Sequence, residues 1–313
     1  MKKQIVCLSV MRAFLLSFLL LTSVALWAGS PTANESAKAS VAQNVANQAA
    51  EKRNMTLLEA TAALRETENA LGALDKGKKK DALKSLEIAT GKLELILARD
   101  PKLALAPTGV SVTTQQILAS PDEVKKARKA AQKLLDDGDV QEARRLLSSL
   151  ASETIISVTN IPLATYPAAI KDAVRLIDQE KVEEAKRVLQ TAMSTLAITN
   201  TVIPLPVVDA QQILKTAESL AEKKERKAED NEQLSKLLKE ARTQLEFAQV
   251  LGYGKKKDFK DLYAQLDEIE KNTDDGKSGT GFFAKIKTSI SELLKSNQVA
   301  QDTSPSGPTS TKR

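Results

Sequence analysis

One signature recurs three times and constrains this chain more than any other feature. Leu74, Leu135 and Ile177 each open a short polar turn; an Ala lies eight residues further on (Ala82, Ala143, Ala185) and a Leu twelve further on (Leu86, Leu147, Leu189). The turns read Leu-Asp-Lys-Gly, Leu-Asp-Asp-Gly and Ile-Asp-Gln-Glu. A small Ala lets two helices approach closely, and the Leu fills the seam above it, so each unit predicts a helix-turn-helix pair. The units start 61 and 42 residues apart, which is not a solenoid period.

Local signals agree with helices on either side of each turn. Ser120-Pro121-Asp122-Glu123 reads as a capping box with Pro at the first helical position. Val124, Ala127, Ala131 and Leu134 then line one face, Gly138 ends the helix, and Asp139 to Glu142 reads as a second capping box. The connectors 103–112, 157–167 and 197–206 are β-branched, apolar and Pro-containing. They are predicted to be extended and to lie against the helices, as short strands or as ordered chain. Two of them share Thr-Asn followed by Ile-Pro-Leu, at Asn160, Pro162 and at Asn200, Pro204.

Beyond Asp209 a long helix, 209–251, is expected. Its segment 222–233 is almost wholly polar, and Leu234, Leu238, Ala241, Leu245 and Ala248 follow a near-heptad spacing that would suit another subunit. A shorter helix over 258–271, a Gly-containing linker over 272–281, an amphipathic helix over 282–297 and a disordered polar tail over 298–313 complete the reading. At the other end, 29–54 is rich in Ala, Ser, Asn and Gln and reads as a flexible linker or frayed helix. The predicted domain is therefore 56–271. Its class is all-α: packed helical hairpins, extended Pro-containing connectors and a long C-terminal helix.

Met1 to about Ala28 reads as a cleaved secretory signal, with Lys2, Lys3 and Arg12 ahead of an apolar run, Ala13 to Leu26. The expected compartment is the periplasm. An uncleaved anchor is the alternative, less suited to so short a run. The only cysteine, Cys7, lies in that leader, and histidine is absent. The exported chain would therefore fold by burial alone, without disulfides and without the usual catalytic base, thiol nucleophile or zinc ligands. Half of the formal charge of +6 belongs to the three basic residues of the leader, and the remainder gives no argument for nucleic acid.

Other motifs are weak. Gly72 to Lys78 has phosphate-loop spacing, but Lys79 stands where a Ser or Thr would hold magnesium and no strand precedes it. Carboxylates sit beside Lys and Arg on polar faces, so a carboxylate-only hydrolase has no isolated acid pair to support it. Basic clusters at 76–80, 223–227 and 255–257 read as solvated turns and helix ends, with anionic lipid as the sharper alternative, aided by 282–297. Tyr166 is the one aromatic between Met55 and Glu246. It reads either as a wedge closing a helix end or as a stacking platform in a groove lined by the Pro connectors.

The segment Leu135 to Ala143, with Ile161-Pro162-Leu163 opening the next pair and Ile177 to Lys181 at its turn, resembles the YfdX family of bacterial proteins. The similarity covers about residues 56–225. The resemblance implies a periplasmic, mostly helical, stress-associated and often oligomeric protein with no established activity. No catalytic residue, metal ligand or cofactor is carried over from it. The resulting expectation is a non-enzymatic, chaperone-like binding protein that buries small apolar ligands or unfolded segments against Asn160, Pro162, Tyr166, Asn200 and Pro204. It would be a homo-oligomer, with contact to an anionic membrane surface through 282–297 and none to nucleic acid. The alternatives are a structural oligomer assembled through the 209–251 stripe and a membrane-surface-associated protein.

Overall fold

In the computed structural model, residues 33–55, 57–297 and 301–302 are described; the signal segment lies outside them. The three signature units are helical hairpins: α2 (Leu58–Asp75) with α3 (Lys79–Arg99), α4 (Pro121–Asp136) with α5 (Val140–Ser148), and α6 (Tyr166–Asp178) with α7 (Val182–Ser194). The three turns share one backbone design. Gly77, Gly138 and Glu180 all have positive φ (69°, 86° and 63°). The next amide reaches back to the last turn of the preceding helix: Lys78 to Ala73 O, Asp139 to Leu134 O and Lys181 to Leu176 O, at 2.8–2.9 Å. Glycine adopts this left-handed conformation freely, while Glu180 adopts it at a cost of about 1 kcal/mol.

Each hairpin is followed by a strand: β1 (Leu105–Gln115), β2 (Glu153–Pro162) and β3 (Ala197–Pro204). These are the predicted extended connectors. They pair with one another as an antiparallel sheet in the order β1-β2-β3, edged by the two-residue β4, Gln301–Asp302, which belongs to the expected tail. The fold is thus mostly helical but not all-α. Long-range pairing of segments separated by whole hairpins is the reason. A bulge at Thr108 shifts the β1 register after Pro107, which has no amide to donate. The bulge holds α2, because Leu57 N donates to Pro107 O (3.0 Å) and Thr61 Oγ1 to Thr108 O (2.8 Å).

Antiparallel strands reverse direction at each step, so successive hairpins fall at alternate ends of the sheet. The first and third share an end and pack together, α2 against α7 and α3 against α6. Their core holds Leu74, Leu86, Leu93, Tyr166, Ile170, Ile177 and Leu189. The second hairpin stands at the other end, where Arg128 Nη1 donates to Val250 O (2.9 Å).

The C-terminal helices close a separate core. The expected single helix 209–251 is two helices, α8 (Leu205–Ala221) and α9 (Ala228–Leu251), packed on each other. The stripe Leu234, Leu238, Ala241, Leu245 and Ala248 is buried inside that core and is not a free dimer seam. α10 (Lys256–Thr273) and α11 (Ala284–Asn297) complete it. The apolar side of α11, Ile286, Ile290 and Leu293, with Phe283 before it, faces this core. The segment 272–281, expected to be a flexible linker, contains a 3₁₀ turn, Asp274–Gly276, and is clamped by Arg226. That guanidinium donates to Thr273 O (2.8 Å) and Lys277 O (2.7 Å), and to Asn231 Oδ1 (2.9 Å). The expected linker 29–54 is helical as α1 (Ala33–Asn54). Val41, Val45 and Ala49, one turn apart, seat it beside Ile156, Ile203 and Val208. The Ser120–Glu123 capping box forms as expected; Asp139 caps α5 without a side-chain bond, so the second box does not.

Candidate functional site

The two Thr-Asn connectors lie on neighbouring strands but do not form one site. In the β2–β3 register, Asn160 opposes Ala197 and Asn200 opposes Ser157. Directly opposed residues share a face and neighbours alternate, so the two asparagines project from opposite faces of the sheet. Each is used within the sheet. Asn160, buried, donates through Nδ2 to Val158 O (2.9 Å), Ala197 O (3.2 Å) and Thr199 Oγ1 (3.3 Å). Asn200 Oδ1 accepts from Ser157 Oγ (2.7 Å). Pro162 ends β2, and buried Pro204 ends β3 as the N-cap of α8.

Tyr166 begins α6 and is almost wholly buried in the core of the paired hairpins, which matches the wedge reading. Among the described residues its hydroxyl has no hydrogen-bond partner within 3.5 Å. The neighbouring Thr67 hydroxyl donates instead to Ala63 O (2.8 Å). Burial pushes the phenol pKa up.

A groove of about 750 Å³ runs over the α6–α7 hairpin beside this residue. Tyr166 contributes to its lining, whereas Asn160, Pro162, Asn200 and Pro204 do not. Small residues (Ala164, Ala168, Ala169, Thr191, Ala192, Thr195) make it wide, and Leu176 and Val188 make it apolar. Asp172, Glu184 and Arg187 supply charges of both signs, and Asp172 is already paired with Arg175. The groove exists because each helix carries an apolar residue beside its core stripe: Leu176 next to Ile177, and Val188 next to Leu189. The paired apolar residues Leu176-Ile177 and Val188-Leu189 are the sequence signal of this groove, and the Pro connectors carry none of it.

A second cleft, of about 520 Å³, lies between α9 and α10 among Asn231, Lys239, Asp267, Glu270 and Lys271. Its charges are mixed, and Asp267 is engaged by Arg242. Among the described residues no group of His, Cys, Asp and Glu could hold a metal ion, and no helix is long and apolar enough to cross a membrane.

Residues 63–202, from within α2 to β3, match the family model described as YfdX protein. That part of the chain is similar to YfdX proteins. The matched region spans the three hairpin-strand units almost completely and stops before α8, where the separate C-terminal core begins. The match is shorter than the expected 56–225. A solved structure of Salmonella Typhi YfdX is similar at 18% identity with a TM-score of 0.33. The similarity covers 47% of this chain and 91% of that one. No curated protein matches the chain.

Proposed function

We propose that this chain is a non-enzymatic binding protein whose α6–α7 groove takes an apolar polypeptide segment. The observation that carries this reading is the groove itself: a wide, largely apolar surface on the outside of a hairpin whose other side is already buried in the core. An open groove of this shape suits side chains presented by a segment more than an enclosed small molecule. Charges of both signs at its margin favour amphipathic partners without selecting one sign. The connectors drop out of the mechanism, because they hydrogen-bond to one another. A leader-like segment from Met1 to about Ala28 supports action in the periplasm, which cell fractionation checks.

Fluorescence titration with a dansyl-labelled amphipathic peptide tests the groove. Ala168→Trp and Thr191→Trp fill it from exposed positions, away from the core. Each is expected to weaken binding about tenfold, or about 1.4 kcal/mol, with unchanged helix content. Peptide that fails to bind the unaltered chain, or binds both variants as tightly, would overturn the reading.

A further inference from the structure

The second hairpin carries the same signature as its two sisters but not their burial. Leu135 and Leu147 are 42% and 45% exposed, whereas the equivalent Leu74, Ile177, Leu86 and Leu189 are 3% or less. Leu135 and Leu147 flank a groove of about 450 Å³ whose floor is the buried Ala131. One wall is cationic. Lys125, Arg128 and Lys129, one helical turn apart on α4, line it, and no carboxylate does. Apolar and basic residues thus share one open face.

The charge of that wall is largely unspent. Lys125 Nζ lies 3.0 Å from Asp122 Oδ1, an exposed pair within one turn. Arg128 Nη1 donates to Val250 O, a neutral acceptor, at 2.9 Å. Among the described residues Lys129 has no carboxylate within 4.0 Å, and neither does Arg144, one turn from both Val140 and Leu147 on α5. The carboxylates lie at the other end, in the turn, where Asp136, Asp137 and Asp139 are exposed and Asp136 accepts from Gln132 (2.9 Å). The face is therefore polar along its length, cationic toward the start of α4 and acidic at the turn.

We propose that this groove takes an acidic amphipathic helix of another protein, with apolar side chains between Leu135 and Leu147 and carboxylates against Lys125, Arg128 and Lys129. The two sister hairpins show how such a row is closed. Helices cover it, α2 on α7 and α3 on α6, and ion pairs cross the seam beside the apolar residues. Lys186 Nζ lies 2.7 Å from Asp75 Oδ1, and Lys171 Nζ lies 2.7 Å from Glu94 Oε1. Each of those cations meets a carboxylate on the helix docked against it. The second hairpin has the apolar row and the cations, and the carboxylates must come with the partner.

The charge pattern selects this occupant. A second copy of the face brings Lys125, Arg128 and Lys129 again and leaves them unmatched. An anionic bilayer would neutralise them, but a flat surface that reached exposed Val140 would also press Asp136, Asp137 and Asp139 against anionic head groups. A helix is narrow enough to satisfy one end alone. From Lys125 to Leu135, α4 rises about 15 Å, so a partner of about three turns fills the groove. This site selects negative charge, whereas the α6–α7 groove offers charges of both signs.

Fluorescence anisotropy with two fluorescein-labelled peptides of about four helical turns tests this. They share one leucine stripe and differ only in flanks of Glu or of Lys. The Glu peptide is expected to bind the full chain at least ~10-fold more tightly than the Lys peptide, with the gap narrowing as salt rises. Leu147→Glu should weaken the Glu peptide at least ~10-fold, and Lys129→Glu about 5-fold while improving the Lys peptide, both with unchanged circular dichroism. Equal binding of the two peptides overturns the proposal. So does Glu-peptide binding that ignores both variants and is lost in Ala168→Trp, which would place it in the α6–α7 groove. A dimer in sedimentation velocity, or binding to phosphatidylglycerol vesicles, that Leu147→Glu abolishes would give the face to a second copy or to lipid and overturn it too. The α4–α5 and α6–α7 variants touch different grooves, so the two binding readings succeed or fail separately.

Discussion

The α6–α7 and α4–α5 hairpins were written with one signature and ended in different states. Both have the Ala seam, the positive-φ turn and the flanking strands. One is shut by a sister hairpin at the same end of the sheet; the other faces solvent along its outer Leu row. The sequence signature therefore specifies the hairpin, while strand alternation decides which hairpins find each other. The difference is a property of topology more than of local sequence.

The sharpest way to break this comparison is to truncate the same position in each hairpin. Leu189→Ala removes a fully buried side chain and should cost about 3 kcal/mol by urea unfolding. Leu147→Ala should cost less than ~1 kcal/mol. Similar losses would mean that the two hairpins are equally packed. The separateness of the C-terminal core is probed next. Arg226→Ala removes charge-assisted bonds to Thr273 O and Lys277 O and should cost roughly 2 kcal/mol, with faster hydrogen exchange in 272–281 and none of that change in the paired hairpins.

Smaller effects sharpen the picture of the open hairpin, where local signals are less masked by packing. Ser120→Ala removes the cap of α4 and should cost about 1 kcal/mol. The Ser120 amide and hydroxyl hold the Glu123 carboxyl pKa below its ordinary value. The contribution of Glu123 is present above its unfolded-state pKa and is lost as pH falls through the lowered one, so α4 should loosen on acidification in the unaltered chain. Circular dichroism against pH, with Glu123→Gln as control, reads this. The smallest change expected is Glu180→Gly. It relieves positive φ at the third turn but gives up the exposed pair with Lys79 and adds freedom to the unfolded chain, for a net shift within about 1 kcal/mol. A loss well beyond that would mean that the Lys79–Glu180 pair holds the two hairpins together more strongly than exposed ion pairs do.

What the sequence made legible was local. Turn residues, Ala/Leu spacing and the Ser120 box each act within a few residues, and all three hairpins and the extended character of the connectors followed from them. Pairing between connectors did not, because the opposition of Asn160 to Ala197 spans a whole hairpin. Without that register nothing reveals that two identical Thr-Asn pairs present their asparagines to opposite faces. The break between α8 and α9 was hidden for another reason. Glu222 to Lys227 are good helix formers in water, and only the packing of α8 on α9 turns that polar run into a turn. α1 was hidden by composition, since Val41, Val45 and Ala49 make too slight a stripe to stand out among Ala, Ser, Asn and Gln.

Hydrogen exchange of the purified chain tests most directly the claim that one hairpin is open where its sisters are closed. Peptides from α4–α5 should exchange faster than those from α2–α3 and α6–α7. Equal protection of all three hairpins would contradict the account.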